Sequence, residues 1–72
     1  MPKLCDRLVE LKKSGGCLQK DIAKAAGVYL RTYQRYEYGE RLPTADVLIA
    51  LADFYNVSID YLVGRSDDPK RH

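Results

Sequence analysis

Glycine stands at the end of almost every helix-spaced stretch of this 72-residue chain, so only short helices that lean on one another can form. Leu4, Leu8 and Leu11 recur at helical spacing with Cys5 and Val9 beside them, which predicts an amphipathic helix closed by Ser14, Gly15 and Gly16. Gln19 to Ala26 is rich in helix formers, sets Ile22, Ala23 and Ala26 on one face, carries Asp21 near its start and stops at Gly27. A third segment runs from Tyr29 or Leu30 to Tyr38, with Tyr33 and Tyr36 three apart and Gly39 closing it. Beyond the turn at Glu40 to Pro43, Thr44 caps a fourth helix reaching about Tyr55, and Ser58 caps a fifth that ends at Gly64. No strand pattern occurs. The expected fold class is all-α, five helices around one core, because 72 residues cannot supply a second. The domain is expected to span 1–64, with 65–72, polar and containing Pro69, as a solvated, flexible tail.

Composition narrows the function. The longest unbroken apolar run, Val47 to Ala52, lies between Asp46 and Asp53 and is far below the ~20 residues of a membrane span. Lys3, Asp6 and Arg7 interrupt any signal-peptide core, so an intracellular, cytoplasmic protein is expected. Cys5 and Cys17 are too few for a disulfide framework, and the single histidine, His72, cannot complete a zinc set. The thiols are read as small buried hydrophobes, with no metal and no cofactor. Without a nucleophile and base to work together, catalysis is not expected. Residues 1–41 carry nine Lys and Arg against five Asp and Glu, and residues 42–72 carry three against five. That split suits a chain that turns one face to a polyanion.

The functional signal lies where the second and third helices meet at Gly27. A short helix, a tight glycine turn and a second helix form a helix-turn-helix, whose second helix is held out to enter a major groove. Ala23 must be small because the third helix crosses over it. Gly27 must reach a left-handed conformation that costs other residues roughly 1–2 kcal/mol. Ala26 and Val28 seal the corner. With Tyr33 and Tyr36 pointing inward, a helical wheel leaves Leu30, Arg31, Gln34 and Arg35 outward, with the two arginines four apart on one surface.

These residues carry a resemblance. Gln19-Lys-Asp-Ile-Ala, Gly27-Val28, Tyr36-Glu37-Tyr-Gly39, Pro43-Thr44, Leu51-Ala52-Asp53 and Val57-Ser58-Ile-Asp60-Tyr-Leu62 occur in the order and spacing of one family. Over roughly residues 4–64 the chain resembles the lambda-repressor-like, Cro/CI-type helix-turn-helix proteins, also called the xenobiotic-response-element family. The resemblance implies a five-helix domain, usually a homodimer on a two-fold symmetric double-stranded DNA operator, and most often a bacterial or phage repressor. It implies a cytoplasmic, nucleoid-associated protein without a cofactor.

Carried over by position, the resemblance makes Gln19 a phosphate contact that braces the recognition helix, and makes Arg31 and Arg35 base readers. An arginine fork suits the O6 and N7 acceptors of guanine. Leu30 also falls at a base-facing position, where a thymine methyl is the expected target, and Gln34 reaches an adenine edge or a phosphate. Thr32, Tyr38 and Arg41 fall at or near backbone-contacting positions, which set register without reading sequence. Lys12 and Glu37 fall where the family pairs an arginine with a glutamate. The family's Ser or Thr caps are replaced by Leu18 and Tyr29, and Tyr33 stands where a branched aliphatic is usual. Its hydroxyl therefore needs a partner or solvent.

Blander readings stand beside these. Arg31 and Arg35 also fit a plain solvated face, and Tyr33 and Tyr36 are core in preference to base-stacking residues. Tyr29 either touches the sugar-phosphate chain or packs over the corner. Tyr55, Tyr61, Leu62 and Val63 exceed what a small core needs and, by analogy to the family, are expected at a dimer contact. The competing functional class is an antitoxin-type module that binds a protein partner and uses DNA for autoregulation.

Overall fold

A computed structural model describes residues 3–70; His72 lies outside them. Among the described residues five helices and no strand are present: α1 (Leu4–Gly15), α2 (Gln19–Ala26), α3 (Leu30–Glu37), α4 (Ala45–Tyr55) and α5 (Ile59–Leu62). Left-handed residues end three of them. Gly16 (φ 63°) closes α1, Gly27 (φ 73°) closes α2, and Asn56 (φ 54°) closes α4, asparagine being one of the few other residues that tolerates this region. Thr44 Oγ1 accepts from the Val47 amide and Ser58 Oγ from the Tyr61 amide, so both predicted caps form.

The last helix is shorter than its spacing predicts. After Leu62 the chain tightens: Val63 N–H donates to the Ile59 carbonyl at 2.9 Å, and Gly64 N–H to that of Tyr61 at 3.1 Å. With four residues, α5 holds its place through tertiary packing, and Leu62 is its fully buried anchor.

The core gathers one face of each helix. Leu8, Ile22, Tyr33, Leu51 and Leu62 are fully buried, with Ala23, Tyr36, Ala52 and Val57 completing the cluster. Each such Leu or Ile contributes about 1.5–3 kcal/mol of hydrophobic stabilisation. α2 packs on both α3 and α4, while α1 packs on α3 and α5. α3 is thus wedged between α1 and α2.

Residues 65–70 are exposed, apart from half-buried Ser66, yet hydrogen-bonded to α5 and its cap. The Ser58 amide donates to the Pro69 carbonyl at 3.1 Å, and the Arg65 and Ser66 amides both donate to that of Asp60. Buried Arg7 organises this end: Nε donates to the Tyr61 carbonyl at 3.1 Å, and the guanidinium lies 3.9 Å over the Tyr61 ring. Its Nη1 reaches Glu10 at 3.4 Å and its Nη2 faces Asp67 at 3.5 Å. Within the stretch read as a solvated, flexible tail, exposed Asp67 thus faces Arg7 of α1, a contact no local pattern announces. Among the described residues, no helix is long and apolar enough to cross a membrane.

Candidate nucleic-acid interface

The corner between α2 and α3 is built by backbone bonds. Gly27 N–H donates to the Lys24 carbonyl at 3.2 Å and Val28 N–H to that of Ala23 at 3.1 Å. A Cβ on Gly27 would meet no atom within 4 Å, so glycine is demanded by its positive φ and not by crowding. Ala23 is 2% exposed beneath the crossing.

From this corner α3 presents two unlike faces. Tyr33, Tyr36 and Glu37 are buried; Leu30, Arg31, Arg35 and Tyr38 are exposed; Thr32 and Gln34 are half-buried. Arg31, Gln34, Arg35, Tyr38 and Glu40 line an open trough of about 250 Å³. Tyr29, at 85% exposed, does not pack over the corner. Arg41, Lys20, Lys24 and Lys13 are also exposed. Glu40 and the three lysines were not singled out from sequence; Glu40 follows the Gly39 turn, the only local hint of its place. No side chain caps α2 at Leu18 or α3 at Tyr29, so the first amides of both helices are left for water or an anion.

Behind the exposed face, polar groups join α3 to α1 and α2. Lys12 Nζ donates to Glu37 Oε1 at 2.9 Å, and Gln19 Nε2 donates to the same oxygen at 3.1 Å. Gln34 Nε2 in turn donates to Gln19 Oε1 at 3.1 Å. Burial alone would raise the Glu37 pKa, but the Tyr33 hydroxyl, Lys12 and Gln19 outweigh it and hold the carboxyl below its ordinary range. The hydroxyls of Tyr33 and Tyr55 and the second Glu37 oxygen are buried beside one another without an aligned hydrogen bond. Burial drives the Tyr33 hydroxyl pKa far up, with Glu37 adding to it, and pushes Tyr55 up to about 12. Both tyrosines therefore stay neutral, and Glu37 ionised, near neutral pH. Cys5 and Cys17 are free, half-buried thiols, and among the described residues no group of three or more His, Cys, Asp or Glu could hold a metal ion.

The four residues assigned to a dimer contact separate in space. Leu62 is corrected outright: it is fully buried, since a four-residue helix has no other core anchor. Tyr61 carries the Arg7 guanidinium on its ring, and the half-buried Tyr55 turns its hydroxyl toward Tyr33 while its ring meets Phe54 edge-on at 5.0 Å. Val63 alone opens onto an apolar trough of about 440 Å³, shared with Lys3, Leu4, Leu42, Pro43 and Leu48. Leu42, an apolar residue in a turn, is 81% exposed on the rim of that trough.

An outward helix with two arginines, propped by a glycine corner inside a five-helix bundle, defines a helix-turn-helix domain. Residues 8–62 match the family model described as Helix-turn-helix, and the chain belongs to that family, of the Cro/CI type. It is 37% identical over 65 residues to YobD of Bacillus subtilis, an uncharacterised HTH-type transcriptional regulator, covering 90% of this chain and 58% of the relative. It is 40% identical over 63 residues to the Vibrio cholerae cryptic phage CTXphi transcriptional repressor RstR, covering 88% and 56%. The chain thus spans a little over half the length of these relatives. Among solved structures, a transcriptional regulator from Listeria innocua superposes with a TM-score of 0.82 at 39% identity, over 86% of this chain and 58% of that one. The P22 c2 repressor, solved with a synthetic operator, superposes with a TM-score of 0.84 at 24% identity, over 92% of this chain and all of that one. That second likeness establishes the lambda-repressor-like fold.

Proposed function

We propose that this domain binds double-stranded DNA sequence-specifically through α3 in the major groove, as a homodimeric transcriptional repressor working in the cytoplasm at the nucleoid. The carrying observation is the outward face of α3, with Arg31 and Arg35 exposed four residues apart above a helix whose opposite side is buried. Each guanidinium forks to guanine O6 and N7, worth about 1–3 kcal/mol of discrimination, and Leu30 meets a thymine methyl. Tyr29, Tyr38, Arg41 and the lysines of α2 flank that face and suit phosphate, as do the uncapped amides of α2 and α3. Asp46, Asp53 and Asp60 are exposed on α4 and α5, so negative charge gathers on other elements.

One recognition helix spans too few base pairs for useful affinity, which is why two copies with helices about 34 Å apart are required. The apolar trough at Leu4, Leu42, Pro43, Leu48 and Val63 is the surface that suits a second copy. A dimer seated over a promoter excludes polymerase; the name transcriptional repressor carried by the relative RstR supports that sense of control.

Arg35→Ala tests the reading. Affinity for a site selected from random duplexes should fall by about 1–3 kcal/mol while affinity for arbitrary DNA is nearly kept. Equal losses on both would make Arg35 a phosphate contact and end its assignment as a base reader.

A further inference from the structure

Three side chains running from the buried pair to the surface of α3 settle which way a fourth group faces. Ionised Glu37 can only accept, and its Oε1 takes hydrogen bonds from Lys12 and from Gln19. Gln19 must therefore turn its Nε2 inward, which leaves its Oε1 pointing toward α3. That oxygen can only accept, so Gln34 must offer Nε2, as it does at 3.1 Å. The ordinary ambiguity of a carboxamide, whose two ends look alike and exchange by a half-turn, is removed by a carboxylate two hydrogen bonds away.

We infer that Gln34 is a specificity-determining residue held in one amide orientation by the Glu37–Gln19 relay, and that it presents its Oε1, with the remaining Nε2 hydrogen beside it, to adenine. Adenine offers the matching pair in the major groove, the N6 amino group as donor and N7 as acceptor. Thymine O4 and guanine O6 would face the outward carbonyl oxygen to oxygen. Gln34 lines the same trough as Arg31 and Arg35, so the contact falls within the surface already assigned to DNA, and the inference rests on that reading. Half-burial restricts the side chain further, and the depressed Glu37 pKa keeps the relay's inner end an acceptor throughout the neutral range. Gln19 and Glu37 are positioning residues here: neither needs to touch a base for its loss to alter what Gln34 reads.

The test is site selection from a random duplex pool with the 72-residue chain and with Gln34→Ala, Glu37→Gln and Gln19→Ala, each variant first checked for a cooperative thermal melt. The unaltered chain should enrich adenine at one position of each half-site, and thymine or guanine placed there should weaken binding about ten-fold or more. Gln34→Ala should accept all four bases alike at that position and keep every other preference. Gln19→Ala removes the acceptor that fixes the Gln34 amide, so thymine should come within a few-fold of adenine there, whereas Glu37→Gln still turns an amide oxygen to Lys12 and should keep the adenine preference. Should Gln19→Ala fail to melt cooperatively, Gln19→Leu, which keeps the bulk but lacks the acceptor, carries the same expectation for the base preference. The inference is overturned if Gln34→Ala leaves the motif unchanged or weakens all sequences equally, if cytosine takes the position, or if a folded Gln19→Ala or Gln19→Leu chain retains the full adenine preference. An unaltered chain that enriches no motif at all would instead bring down the proposed function, and this inference with it.

Discussion

Replacing Lys12 by Met removes the cation from a carboxylate that cannot easily do without it. The Glu37 side chain is 3% exposed, its Oε2 has no aligned partner, and its Oε1 is shared by Lys12 and Gln19. Breaking a buried ion pair by removing one partner costs about 3–5 kcal/mol. The Lys12 side chain is 22% exposed and Gln19 stays in place, so water and one neutral donor offset part of that, leaving an expected loss of about 2–3 kcal/mol. For a domain of this size that is a fall of about 8–24 °C in melting temperature near neutral pH.

The loss should depend on pH in a definite sense. Glu37 titrates below its ordinary 4.5 in the folded chain, so its contribution is complete above that value and fades as pH falls through the folded pKa. Without Lys12 the acid is neutralised more readily, and the two melting curves should converge as pH falls below 4.5 and through the folded pKa of Glu37. Thermal melts of both chains, followed by far-ultraviolet circular dichroism across that range, provide the measurement. A neutral-pH shift under about 3 °C, or a gap that persists unchanged into acid, would refute the account of a buried carboxylate held ionised by Lys12.

Gly27→Ala should lose about 1–2 kcal/mol in urea denaturation and Gly27→Asn distinctly less, since asparagine already takes the same conformation at position 56; equal losses would show that space matters there after all. Tyr33→Phe, which deletes a hydroxyl that helps hold the buried Glu37 carboxylate ionised, should cost about 1–3 kcal/mol, and stability kept within about 0.5 kcal/mol would mean that the hydroxyl makes no bond to it. Leu42→Asp should keep the fold, because Leu42 is exposed, while shifting sedimentation toward the monomer; a dimer as stable as before would move the self-contact elsewhere.

Much of the site was legible because helical periodicity is strict over one short helix. Once Tyr33 and Tyr36 are placed inward, the wheel must expose Leu30, Arg31 and Arg35, and it does. Gln34 shows where the same reasoning stops. It sits at the edge of the exposed arc, and its half-burial and its orientation come from Gln19, fifteen positions earlier on another helix. Leu62 marks a second limit. An apolar residue on a terminal helix reads equally as core or as contact, and only the shortness of α5 and its packing against α1 and α4 decide for core. Arg7 marks a third, since its partners Tyr61 and Asp67 lie more than fifty residues away.

Read alone, the chain determined where helices stop and which way α3 faces, for these rest on φ preferences and on contacts three or four residues apart, which no distant group can override cheaply. What the packed bundle decided was pairing at long range: which carboxylate meets Lys12, which amide end Gln34 shows, which tyrosine carries Arg7 and which leucine remains outside. Those choices depend on two faces meeting across the core, where an unpaired polar group is costly and apolar area counts the same whichever residue supplies it.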